Sequence, residues 1–222
     1  MNKIIMTAAL FGAILVNAAS AEAPSLHGNV GTKFASDYHR RGEVLSAEAI
    51  QAQIGFSTQV LGADVFGDFL KNHGTDTGAV DTSEVTVGVA TSLFDSSFDA
   101  YLGVYNTDTD GKESSLEAFV ALQANLPLSP RISIFRDTED ALYTFEGQLS
   151  YDVDIDLMGL EIAGILGNTD SSATVDSTYL GAKVTASKTI GENVDIYADV
   201  SLSDTDDRDS ETLWGVGLSV KF

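Results

Sequence analysis

From Ile50 to Val60, IQAQIGFSTQV, apolar and polar side chains alternate: Ile50, Ala52, Ile54, Phe56 and Val60 share one face and Gln51, Gln53, Ser57 and Gln59 the other. A period of two residues is the signature of a strand with two unlike surfaces. The pattern returns at Leu116–Ala124 and at Val194–Leu202, where Val194, Ile196, Ala198, Val200 and Leu202 oppose Asp195, Tyr197, Asp199 and Ser201. Extended along the chain, it predicts twelve strands, over residues 25–38, 50–60, 63–71, 83–92, 97–106, 115–125, 130–137, 141–153, 157–168, 177–187, 193–203 and 212–222.

The connections between these strands alternate in length. Long polar ones at His39–Ala49, Asn72–Thr82, Thr107–Ser114, Asn168–Asp176 and Asp204–Glu211 are separated by short ones at Leu61-Gly62, Asp95-Ser96, Leu126–Ser129, Asp154–Asp156 and Lys188–Glu192. Membrane barrels have short periplasmic turns and longer outer loops, and an even strand number puts both termini on the short-turn side. The two faces separate this fold from a soluble sandwich. Within the twelve segments the apolar face carries a single charge, Arg136, whereas the opposite face mixes Gly, Ser, Thr, Gln and Tyr with charges. Such a face suits a hydrated lumen better than the dry interior of a sandwich. On the apolar face Phe98, Tyr151 and Phe222 fall near the periplasmic ends, and Tyr38, Tyr143 and Trp214 near the outer ends. These are the two interfacial levels that aromatic rings favour. The expected fold is all-β: a single transmembrane antiparallel β-barrel of about twelve strands, with short periplasmic turns and long acidic outer loops.

Residues 1–21 have the form of a cleaved secretory signal, with Lys3, an apolar run from Ile4 to Val16 and the small residues Ala19-Ser20-Ala21, leaving 22–222 as the barrel. No later segment offers the ~18 consecutive apolar residues of a spanning helix. The formal charge of the whole chain is -21. With no basic stripe to offset it, nucleic acid is excluded as a partner. There is no cysteine to staple an exported fold, so backbone pairing and packing must hold it together.

Two stretches resemble known proteins. Leu213–Phe222, LWGVGLSVKF, looks like the final strand of bacterial outer-membrane proteins, which typically end in Phe with apolar residues at alternate positions before it; Trp214, Val216, Leu218, Val220 and Phe222 fit. The resemblance implies a Gram-negative outer-membrane location. It also implies that Trp214 and Phe222 form an assembly signal for the barrel-assembly machinery. Ser36-Asp37-Tyr38-His39-Arg40-Arg41-Gly42, followed by Ser46, resembles the SDYxxRG signature of the Gcw_chp family of conserved hypothetical exported proteins, which implies a barrel and no particular chemistry. Read physically, Asp37 faces inward, Arg40 and Arg41 open the first outer loop, Gly42 allows a sharp turn, and an Asp–Arg pair can pin the loop to the wall.

Asn106-Thr107-Asp108-Thr109-Asp110-Gly111, with Glu117 at the twelfth position, has the spacing of an EF-hand calcium loop. However, Glu113 stands where an apolar residue is usual and strands flank it, so an acidic hairpin is the expected reading and no metal is assigned. The acids of Asp204–Glu211 read as a solvated outer loop. His27, His39 and His73 have no serine and acid at fixed spacing, so no enzyme and no cofactor is expected. The lumen should present Lys33, Arg131 and Lys183 against Asp37, Asp99, Glu117, Glu161, Asp195 and Asp199, an acidic excess that favours cations. The expected function is a monomeric, passive, porin-like channel for small cationic or neutral solutes, touching outer-membrane lipid and lipopolysaccharide. The alternative is a closed structural or surface-interaction barrel without transport.

Overall fold

The computed structural model describes residues 25–222 except 42, 77–78, 140–141, 156–157, 170–176 and 207. The leader and Gly42 therefore lie outside the described residues. Twelve strands form: β1 (Leu26–Arg40), β2 (Glu43–Val60), β3 (Ala63–Gly74), β4 (Thr82–Leu93), β5 (Phe98–Thr109), β6 (Ser115–Ala124), β7 (Arg131–Asp137), β8 (Tyr143–Ile155), β9 (Met158–Thr169), β10 (Ser177–Ile190), β11 (Val194–Thr205) and β12 (Arg208–Lys221). Each pairs antiparallel with its sequence neighbours, and β1 with β12, so the sheet closes into a barrel.

At the seam, Asn29–Ala35 run against Gly215–Lys221. There the amide of Gly28 donates to the Phe222 carbonyl at 2.9 Å, and the amide of Phe222 returns the bond to Gly28 at 2.9 Å. A Cβ at Gly28 would strike the Phe222 ring, so the bare backbone is what lets that ring lie flat on the wall. At the β2–β3 turn, Leu61 and Gly62 have φ of 54° and 83°, the positive values that a two-residue hairpin turn of type I′ requires.

The distribution of burial is inverted relative to a soluble domain. Val30, Leu102, Val120, Ile132, Leu166 and Val200 point outward and are exposed, while the largest fully buried side chains are the polar Asn72 and Thr82. In a bilayer the exposed apolar band becomes the lipid-facing surface. Trp214 packs on Phe34 and Tyr143 stacks on Phe145 toward one rim, and Phe94 meets Phe98 edge-on toward the other.

Three features depart from the expected pattern. Two of the long outer connections are mostly strand: β2 starts at Glu43, so β1 and β2 are separated by only two residues, and β12 starts at Arg208, separated by two residues from the end of β11 at Thr205. Polar residues there lengthen the ladders beyond the apolar band, which hydrophobic periodicity alone cannot detect. Tyr38 is not in the outer girdle but turned into the barrel, its hydroxyl on Glu84, in a stretch of the β1–β2 ladder made irregular by the positive φ of Glu48. Arg136 faces outward over the Tyr143 ring, and it is joined on that face by Lys71, which lies 3.8 Å from Asp81 at the outer rim.

Arginine at the bilayer midplane costs a barrel about 2 to 4 kcal/mol. Val120→Arg and Val200→Arg are expected to lose that much stability, and Ser201→Arg, on the lumen face, to be tolerated. Urea titration followed by heat-modifiable gel mobility measures the difference; equal losses on both faces would contradict the assignment.

Candidate functional site in the lumen

Alternation carries every second side chain of each strand into the lumen, and the inward charges fall into two groups. The first group is paired. Lys33 on β1 reaches Asp199 on β11 at 2.8 Å, crossing β12 at Gly215, where a Cβ would collide with the lysine stem. Lys221 meets Asp195 at 2.6 Å.

The third pairing reaches across the barrel. Arg41, at the tip of the β1–β2 hairpin with φ 48°, donates from Nη1 to Glu117 on β6 at 2.6 Å, and its Nε lies 3.4 Å from Glu146 on β8. Its guanidinium stacks 4.0 Å from the Phe135 ring centroid. Strands β6 to β8 lie about halfway round the barrel from β1, so this side chain braces the hairpin tip against the far wall. The slip at Tyr38 and the positive φ of Glu48 bend the tip inward. There Tyr38, Leu45 and Ala49 pack with Leu70.

The second group of charges makes no ion pair among the described residues. Glu84 accepts hydrogen bonds from the Tyr38 and Tyr105 hydroxyls. Asp68 accepts from Gln53 at 2.9 Å and Asp99 from Ser92 at 2.6 Å. Arg131 lies over the Tyr101 ring and donates to Ser133 at 3.3 Å. Among the described residues neither Arg131 nor Lys183 is ion-paired. Glu146 belongs with the braced group and also accepts from Tyr179.

Space remains between these walls. A cavity of about 540 Å³ is lined by Arg41, Arg131, Gln148, Glu161 and Lys183 among others. A second, of about 340 Å³, is lined by Lys33, Asp68, Glu84, Glu161, Lys183 and Asp199 among others. Glu161 and Lys183 belong to both.

Of the residues assigned to the lumen from sequence, Lys33, Arg131, Glu161, Lys183 and Asp199 line these cavities. Glu117 is engaged by Arg41, while Asp99 and Asp195 lie toward the short-turn end. Asp37 pairs with Ala47 where the alternation breaks and lines neither cavity. Sequence reasoning did not single out Asp68, Glu84, Glu146 or Lys221; it expected an Asp–Arg pair to pin the first outer loop to the wall, and Arg41 does reach the wall, but through Glu117 and Glu146. Strict alternation does give Glu84 and Glu146, each set beside outward Val85 or Phe145. Arg41 carries no such signal, since its position depends on the hairpin bending inward. The calcium-like stretch is a hairpin: Asn106 donates to the Ser115 carbonyl at 2.9 Å, and Gly111 takes the turn at φ 79°.

Two expectations follow. Arg41→Ala removes the cation that meets Glu117 and Glu146, and the unfolding free energy from urea titration should fall by about 1 to 3 kcal/mol, lowering the midpoint; adding Glu117→Gln should recover part of it. An unchanged midpoint would show that the brace carries no load. In the β3–β4 connection, the hydrogen bond from His73 at the end of β3, 2.8 Å away, holds the Asp81 carboxyl below its usual range. A carboxylate with a lowered folded value stabilises above about pH 4, and that stability is lost as pH falls through the lowered value. Amide protection at Ser83 should therefore stay level across neutral pH and drop only in acid. Protection that does not change in acid would show that the contact carries no stability.

No family model matches the chain, so the Gcw_chp resemblance rests on its motif alone, and none of the curated proteins is similar to it in sequence. Solved structures are similar in fold. The NanC porin is 13% identical, with 88% of this chain and 100% of that chain covered, at a TM-score of 0.60. The KdgM porin in complex with disordered oligogalacturonate is 14% identical, covering 88% and 99%, at 0.57. The COG4313 outer membrane channel from Pseudomonas putida F1 is 11% identical, covering 91% and 97%, at 0.55. At these identities the likeness establishes the architecture: an all-β, antiparallel, closed twelve-stranded barrel of the kind found in bacterial outer-membrane porins.

Proposed function

We propose that this protein is a passive outer-membrane channel for small solutes, with a preference for cations over anions and no enzymatic activity. The observation that carries the reading is the pair of adjoining cavities, about 540 and 340 Å³, lined by charged and polar side chains inside a wall whose outer surface is apolar. Side chains that filled the interior would leave no such space, and an apolar lining would not hold water. Export through a cleaved leader at residues 1–21, recognition of Trp214 and Phe222 by the barrel-assembly machinery, and contact with lipid and lipopolysaccharide belong to the same reading.

The cation preference follows from which charges are free. Asp195 and Asp199 are each ion-paired to a lysine, so they contribute little net field. Asp68, Glu84 and Asp99 are held by neutral donors and keep their charge facing the path. Fixed charge along a narrow path sets which ions enter, and salt screens it beyond about 10 Å at 0.1 M.

In planar bilayers the purified protein should conduct, with a reversal potential under a KCl gradient that favours K⁺ most at low salt. Asp68→Asn combined with Asp99→Asn should shift that potential toward zero, and Arg41→Ala should raise conductance by releasing the tip from the mouth. A correctly folded barrel that passes no current would overturn the channel reading in favour of a closed structural barrel braced by Arg41.

A further inference from the structure

The two cavities differ in sign. The larger is lined by the cations Arg41, Arg131 and Lys183 against one carboxylate, Glu161. The smaller is lined by the carboxylates Asp68, Glu84, Glu161 and Asp199 against Lys33 and Lys183. Removing the groups already neutralised in pairs sharpens the contrast. Arg41 is spent on Glu117 and Glu146, and Lys33 and Asp199 on each other. What remains is Arg131 and Lys183 on β7 and β10, with Glu161 on β9 between them, and Asp68 and Glu84 on β3 and β4, so one side keeps a net positive and the other a net negative charge. By strand order β10 stands roughly opposite β4 across the barrel. The residual field therefore runs across the path as well as along it.

A transverse field acts differently on different solutes. A neutral molecule is indifferent to it. A simple cation gains at the acidic wall and is repelled at the basic one. A solute with one charge of each sign can satisfy both walls at once while adding no net charge to the lumen. Glu161 and Lys183 line both cavities, so a solute at their junction meets the fields of both.

We propose that the lumen favours small zwitterions bearing an ammonium and a carboxylate, oriented with the ammonium toward Asp68 and Glu84 and the carboxylate toward Arg131 and Lys183. The proposal rests on the channel reading and adds the class of solute.

Swelling of proteoliposomes containing the mature protein tests it with two probes of nearly equal size: alanine, a zwitterion, and lactamide, its uncharged counterpart. Alanine is expected to enter about threefold faster than lactamide, the size of a single hydrated charge contact. Asp68→Asn and Lys183→Gln, each verified as folded by gel mobility, are expected to bring the ratio toward one. Lys183 makes no ion pair among the described residues, so its replacement serves even if Asp68→Asn fails to fold. Free entry of lactamide with a ratio at or below one would overturn the zwitterion preference and leave the channel standing. A high ratio that neither variant lowers would overturn the assignment to these walls. Entry of neither probe would overturn the channel reading and the proposal together.

Discussion

A backbone amide in the hydrocarbon layer has no water to turn to, so every strand there must find a partner on both sides. In this chain that requirement converges on the β1–β12 seam, where Gly28 and Phe222 exchange backbone hydrogen bonds at 2.9 Å. Without it, two edges would stand open in lipid and no register elsewhere could compensate. Because the ladder itself supplies the cohesion, the side chains need not build a dry core. The apolar cluster of Tyr38, Leu45, Ala49 and Leu70 is correspondingly small and lies at the hairpin tip.

Release from core packing is what allows charge inside the barrel. Glycine contributes where the wall must be thin: at Gly215 it lets Lys33 cross a whole strand to Asp199, and at Gly167 it makes room for the Tyr179 ring that donates to Glu146. Carboxylates facing the lumen are thus satisfied by two different means. Glu117, Asp195 and Asp199 meet cations, while Glu84, Asp68 and Asp99 meet hydroxyl or amide donors. The first arrangement cancels charge and fixes geometry. The second holds geometry and leaves the charge standing.

The strand count, the two faces and the short turns were legible because each follows from local chemistry. Period-two alternation separates Val200 from Ser201 on β11, and Leu61-Gly62 has the composition of a tight turn. The ladder extensions were not legible, since Glu43 to Ala49 carries little apolar periodicity and is paired as strand by its neighbour β1. The inward turn of Tyr38 was also hidden. It accompanies a local irregularity of the β1–β2 ladder, where Glu48 takes a φ of 46°, and such irregularities re-aim side chains from one face to the other. Most lumen charges could be named from alternation alone, but their partners could not, because Lys33 and Asp199 are 166 residues apart in sequence.

Arg41 shows why partnering matters more than facing. An arginine in the first outer connection can be expected to pin its loop to a nearby carboxylate, but its sequence position does not say which one; its planar guanidinium can meet a carboxylate and stack on a ring at once, and here it does both with Glu117 and Phe135. That single placement removes one cation from the field of the lumen and two carboxylates with it. Counting charges by face would have kept all three. The acidic excess that remains available to a solute is therefore set by Asp68, Glu84 and Asp99 on β3, β4 and β5 and by Glu161 on β9, opposed by Arg131 and Lys183, and its direction is fixed by which strands carry them.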